Sequence, residues 1–173
     1  ICTMEDVDRG AKVGLRWAHG PFELMNKVGL ENAHRMANQY AQLANGGWEV
    51  PENLSGQGNA DWHFKVVDTS IDNGIATITI NRPEAMNALN ETVMAQLGSA
   101  LDDVNSDSSV STIVLDGAGK AFVAGADVKF FVDKIRADSI SDIYDFTAFG
   151  HQVLDKLESS SKTTKANIPS SMA

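Results

Sequence analysis

Asp72-Asn73-Gly74 separates two runs that alternate as strands do, Phe64-Lys65-Val66-Val67-Asp68 and Ile75-Ala76-Thr77-Ile78-Thr79-Ile80. Asn and Gly tolerate the positive φ that a two-residue hairpin turn requires, so the pattern predicts an antiparallel pair. Asn81-Arg82-Pro83 ends the second strand, because Pro donates no ladder hydrogen bond. Asn90 then predicts a helix cap for about Glu91–Val104, and the β-branched run Val110–Leu115 predicts a strand closed by Asp116-Gly117. Helices are expected over about Ala126–Ile135 and Ile140–Leu157, and the polar Ser159–Ala173 reads as irregular. A hairpin followed by a crossover helix implies a mixed sheet packed on helices, an α+β or α/β fold with the element order ββαβαα.

The residues before the hairpin have a different texture. Residues 3–44 carry apolar positions at helical spacing, with Thr3, Glu5 and Asp6 marking a start. His19-Gly20-Pro21 is a break, and Pro21 suits the first turn of a second helix, Pro21–Val28, which Gly29 ends. A third helix spans about Glu31–Leu43 until Asn45-Gly46-Gly47 stops it. Residues 45–61, with Gly46, Gly47, Pro51, Gly56 and Gly58, read as an extended linker. The expected organisation is a small all-α domain over 1–54, a linker over 55–63, and a sheet-containing domain over 64–173.

Charge and composition narrow the function classes. The 173 residues carry a net charge of −9, of which −3 falls in residues 1–61, so a nucleic-acid partner is not expected. No apolar run reaches the roughly 18–20 residues that span a bilayer, and the first residues do not form a signal peptide. Cys2 is the single cysteine and forms no internal disulfide. The expectation is a soluble, cytoplasmic protein without a membrane partner. Gly117-Ala118-Gly119-Lys120 misses the phosphate loop, since Val114 and Ala121 stand where Gly and Ser or Thr are needed. The acidic run starting at Asp103 has Ser108 and Val114 in place of the Gly and Glu of a calcium loop. His19, His34, His63 and His151 never pair at i, i+4, so no metal is expected. The sequons at Asn53 and Asn90 are read as chance matches.

Ala121-Phe122-Val123-Ala124-Gly125-Ala126-Asp127-Val128-Lys129 stands apart. Small residues after a strand let a ligand approach the backbone, and amides at a helix start carry positive partial charge that can stabilise an oxyanion. On pattern alone a tight strand-to-helix turn with close packing is the favoured reading. Residues 64–158 resemble the N-terminal part of the enoyl-CoA hydratase/isomerase (crotonase) family, on the stretches Gly74–Leu89 and Ala124–Lys129 with the 110–115 strand between them. Residues 5–54 resemble the C-terminal helical domain of 3-hydroxyacyl-CoA dehydrogenases, on Glu5–Ala11, Gly14-Leu15, Gly20–Met25 and Val28–Leu30. That order is found in bifunctional fatty-acid oxidation proteins, and the resemblance implies a piece from the middle of one.

The resemblance implies an acyl-CoA thioester substrate whose carbonyl oxygen meets two backbone amides, the first mapping onto Ala126. Ala124, Asp127, Val128 and Lys129 would line the CoA path, with Lys129 near phosphate or ribose. Arg82 would offer charge to a phosphate, and Ala88 and Leu89 would offer contacts to the pantetheine. The second amide and both catalytic glutamates of the family pattern have no match in this sequence. The NAD expected for a dehydrogenase would bind outside it, and no cofactor is expected within it. The expectation is a homo-oligomer that is inactive by itself. A non-catalytic assembly module and an isomerase or dehalogenase of the same family are the alternatives.

Overall fold

A computed structural model describes residues 2–169, and the chain divides into two compact units with the boundary along the chain between Phe64 and Lys65. Ser170–Ala173, part of the expected irregular tail, lie outside the described residues. No helix among the described residues is long and apolar enough to cross a membrane.

The first unit contains helices α1 (Met4–Gly14), α2 (Pro21–Val28), α3 (Leu30–Leu43) and the short α4 (Glu52–Gly56). Thr3 caps α1 by accepting from the Asp6 amide, and the break before α3 is Gly29 at φ 84°. Helix α2 begins on Gly20, which has no side chain to cap it. Asp8, buried on α1, does so instead: its two carboxylate oxygens accept from the amides of Phe22 and Glu23, each at 2.9 Å. Gly20 is required because a Cβ there would land on that carboxylate. Glu23 completes the joint by accepting from the Gly20 amide and from Lys12 Nζ at 2.5 Å.

The expected linker is corrected here. Leu54 is buried and carries α4 into the first unit. Asn26 on α2 then holds the backbone of Trp62 through two hydrogen bonds, and the Trp62 ring meets Phe22 edge-on with centroids 5.0 Å apart. Gly46 and Gly58 stand at positive φ as turn residues, whereas Pro51 precedes α4 and Gly56 ends it, and a few apolar anchors are enough to fold the segment back.

The second unit is a four-stranded sheet of order β1-β2-β3-β4. Strands β1 (Val67–Asp72) and β2 (Ile75–Ile80) pair antiparallel through Asn73 and Gly74, at φ 47° and 79°, the primed turn that the dipeptide encodes. Helix α5 (Glu91–Ser106) crosses over to β3 (Thr112–Gly117), parallel to β2, and α6 (Val128–Arg136) and α7 (Ile140–Glu158) cross to β4 (Thr163–Ala166), parallel to β3. The core joins Ala76, Ile78, Ile80 and Ile113 of the sheet to Val93, Leu97, Leu101 and Val104 of α5 and Val153 of α7, all essentially inaccessible.

Strand β4 corrects the expectation of an irregular tail. All four of its residues are exposed, so it has no apolar alternation to read. Its pairing comes from backbone hydrogen bonds, including Thr163 N–H to the Ser111 carbonyl and Asn167 N–H to the Leu115 carbonyl. Lys162 fixes its start by donating to the carbonyls of Asp107 and Val110, which follow α5.

Candidate active site

Strands β2 and β3 run parallel, so the segments leaving their carboxyl ends lie side by side, the place where open α/β sheets present ligands. The first segment is Asn81–Leu89, with a single 3-10 turn at Pro83–Ala85. Met86 and Asn87 follow at φ 50° and 56°. Two successive left-handed residues that are not glycine cost free energy, and the Asn87 side chain supplies the compensation. It is fully buried, accepts from the Arg82 amide at 2.8 Å, and donates to the carbonyls of Ala118 and Ala121 at 2.9 and 2.7 Å. Asn87 thus ties the first segment to the second, Gly117–Asp127. Gly117 lets the chain fold back tightly, since a Cβ there would strike the carbonyl oxygens of Ala121 and Phe122.

The two segments then pair as a short parallel bridge between Leu89 and Ala126. Leu89 N–H donates to the Gly125 carbonyl at 2.9 Å, Asp127 N–H donates to the Leu89 carbonyl at 2.8 Å, and Ala124 N–H donates to the Met86 carbonyl at 3.1 Å. The peptide joining Gly125 to Ala126 therefore has its carbonyl engaged on the Leu89 side. In a trans peptide the N–H points the opposite way, so the Ala126 amide faces away from Leu89. Among the described residues that amide has no hydrogen-bond partner, and Ala124, Gly125 and Ala126 are all exposed. A hydrogen bond accepted by the carbonyl also polarises the peptide and strengthens its N–H as a donor. Gly125, at φ 116°, supplies a backbone conformation that other residues rarely adopt.

Asp127 caps α6 by accepting from the Lys129 amide at 3.1 Å. Its other oxygen accepts from Arg82 Nη2 at 3.2 Å, while Arg82 Nη1 donates to the Ala88 carbonyl at 2.7 Å. Arg82, read from sequence as a charge for phosphate, is thus engaged inside the chain. The Leu89–Ala126 bridge sets the half-buried Ala88 and Leu89 against the stretch from Ala124 to Asp127, and the exposed Val128 and Lys129 follow it in the chain. Asn87 had no role assigned from sequence. Its signal was the residue type, since Asn tolerates a left-handed backbone and carries both a donor and an acceptor.

The family profile of enoyl-CoA hydratase/isomerase matches residues 70–160, just over half of the chain. The chain belongs to the enoyl-CoA hydratase/isomerase family. The crotonyl-CoA hydratase of Syntrophomonas wolfei is 36% identical over 95 residues, which cover 54% of this chain and 35% of that protein. A trans-2-decenoyl acyl-carrier-protein isomerase of Streptococcus mutans is 31% identical over 80 residues, 46% of this chain and 30% of its own length. The crystal structure of an enoyl-CoA hydratase/carnithine racemase from Magnetospirillum magneticum superposes with a TM-score of 0.56 at 32% identity, over 61% of this chain and 39% of that one. This member of the enoyl-CoA hydratase/isomerase family spans about a third of the length of the curated relatives it matches. The mixed sheet and its covering helices match part of the family's fold.

Proposed function

We propose that the second unit supplies the thioester-holding half of an enoyl-CoA hydratase active site, acting in fatty-acid β-oxidation. One observation carries this reading: the exposed Ala126 amide has no internal partner and sits on a peptide whose carbonyl is already held by Leu89. Such a donor, fixed before substrate arrives, stabilises negative charge that develops on a thioester oxygen without reorganisation. Water adds across the 2-enoyl double bond through an enolate, whose oxygen the Ala126 N–H would hold. Val128 and Lys129 continue from that point along α6 and line the path of the CoA arm. The hydratase reaction further needs a second amide and two carboxylates that move protons, which the family pattern places beyond the matched residues. The 173-residue chain by itself is therefore proposed to be inactive. The isomerase reading rests on the Streptococcus mutans relative, since one oxyanion amide serves both reactions.

The first unit is proposed to be the tail of a 3-hydroxyacyl-CoA dehydrogenase, supported by the resemblance of residues 5–54. The residues present do not fit NAD: the turns after β2 and β3 are Asn81–Leu89 and Gly117–Asp127, and neither carries the glycine pattern that admits a pyrophosphate. Exposed Leu15, Trp17, Met36, Tyr40 and Leu43 on the first unit support homo-oligomerisation, and a cytoplasmic location is proposed with it.

The test is binding of crotonyl-CoA to the isotopically labelled chain. The Ala126 amide resonance is expected to move downfield on saturation, and Ala126→Pro to remove the thioester's carbonyl polarisation while CoA itself binds within about twofold. Because that amide has no internal partner, the substitution removes no donor that the fold itself uses. Saturating crotonyl-CoA that leaves the Gly125–Lys129 resonances unmoved would sink the reading.

A further inference from the structure

We infer that Arg82 and Asp127 form a positioning pair for the Ala126 amide, an inference that rests on the thioester-binding reading above. Asp127 adjoins Ala126, so its carboxylate lies one residue from the donor that would meet a developing enolate. A bare negative charge there opposes the negative charge that the amide is meant to stabilise. Arg82 pairs with it at 3.2 Å, with only 17% and 20% of the two side chains exposed, so solvent screens the pair incompletely. The site keeps its capping carboxylate and loses that carboxylate's field.

The pair also has a mechanical part. Arg82 donates to the Ala88 carbonyl with one nitrogen and to Asp127 with the other. These two anchors flank the Leu89–Ala126 bridge, one on each strand. The bridge contains two backbone hydrogen bonds, Leu89 to Gly125 and Asp127 to Leu89, and together they set the direction of the Ala126 N–H. The Arg82 backbone is held in turn by Asn87, whose side chain reaches Ala118 and Ala121 on the second segment. Arg82 therefore links the turn after β2 to the first turn of α6. A lysine keeps the charge but not the two-armed geometry.

Two measurements on the full chain separate these parts. The first is amide hydrogen exchange without ligand, comparing wild type with Arg82→Gln. Exchange at Leu89 and Asp127 is expected to speed up at least tenfold, with Ile78 and Leu97 in the core unchanged within twofold. Unchanged exchange at Leu89 and Asp127 would overturn the clamp. The second uses acetoacetyl-CoA, a 3-oxoacyl thioester that ionises to an absorbing enolate, at fixed pH. Arg82→Gln is expected to lower the enolate fraction of bound probe severalfold, and Arg82→Gln/Asp127→Asn to recover most of it, since Asn still caps α6. Arg82→Lys should fall between them. A double variant no better than Arg82→Gln would overturn the neutralising role, because a purely structural loss gains nothing from removing the second charge. If wild type fails to bind the probe while the exchange result holds, the thioester reading falls and the charge argument with it, and the clamp alone stands.

Discussion

At the scale of single residues, three polar side chains govern local structure: Asp8 in the first unit, and Asn87 and Asp127 in the second. Each replaces hydrogen bonds that the backbone cannot make for itself. The cap by Asp127 is legible in sequence, because an acid before a helical run is a local signal. The roles of Asp8 and Asn87 are not, because the amides that Asp8 caps lie 14 and 15 residues on and the carbonyls that Asn87 holds lie 31 and 34 residues on. Glu23 gives the clearest pH prediction. Burial alone would raise its carboxyl, but hydrogen bonds from Lys12 and the Gly20 amide, with the charges of Lys12 and His19, outweigh this and hold it below its ordinary 4.5. A carboxyl lowered by folding stabilises the native state above its unfolded value, and that contribution fades as pH falls through the folded one. The first unit should therefore lose stability below about pH 4.5, and Glu23→Gln should flatten that loss while lowering stability at neutral pH. Thermal unfolding followed at Trp17 and Trp62 across pH 3–7 checks it; an unaltered pH slope in Glu23→Gln would show that other acids carry the dependence.

At the scale of elements, sequence reading succeeds where a local rule acts alone. The Asn73-Gly74 turn places β1 against β2 because both residues adopt positive φ. Asn90 starts α5 because its side chain accepts from the Val93 amide. Reading fails at β4, where Thr163–Ala166 pair through backbone groups and bury no side chain. An edge strand of this kind is held by its anchors. Lys162 bonds the carbonyls of Asp107 and Val110, and Ser160 donates to Asn105 at 2.6 Å, so the start of β4 is tied to the end of α5. Removing the ammonium with Lys162→Met leaves those carbonyls to water and should cost about 1–2 kcal/mol locally. Amide exchange at Thr163 and Asn167 should then rise about tenfold, since 1.4 kcal/mol is a factor of ten, with Ile78 unaffected. Equal acceleration at all three would mean that β4 opens only with the whole sheet.

At the scale of the whole molecule, the two units differ in what they hold. The second has a continuous core from sheet to helices, with Ile78, Ile80, Leu97, Leu101, Ile113 and Val153 at its centre. The first buries Ala11, Leu30 and Leu54 while Val13, Leu15, Trp17, Met36 and Leu43 stay exposed. The periodicity change near residue 62 makes this division legible, because helical and strand patterns cannot share one segment. The catalytic prediction also belongs to this scale. Efficient hydration needs the thioester oxygen, the water and the Cα proton each held by a positioned group. The described site offers the Ala126 amide as the donor proposed for the thioester oxygen. Its adjoining carboxylate, Asp127, is occupied by Arg82 and by the Lys129 amide, so it has no free role as a base. One amide without a base lowers the cost of the enolate but leaves water unactivated. The 173-residue chain, incubated with crotonyl-CoA, should therefore bind the thioester yet leave its conjugated absorbance decaying at the buffer rate. Saturable loss of that absorbance, retained through repurification and abolished by Ala126→Pro, would show that a second group within these residues completes the site.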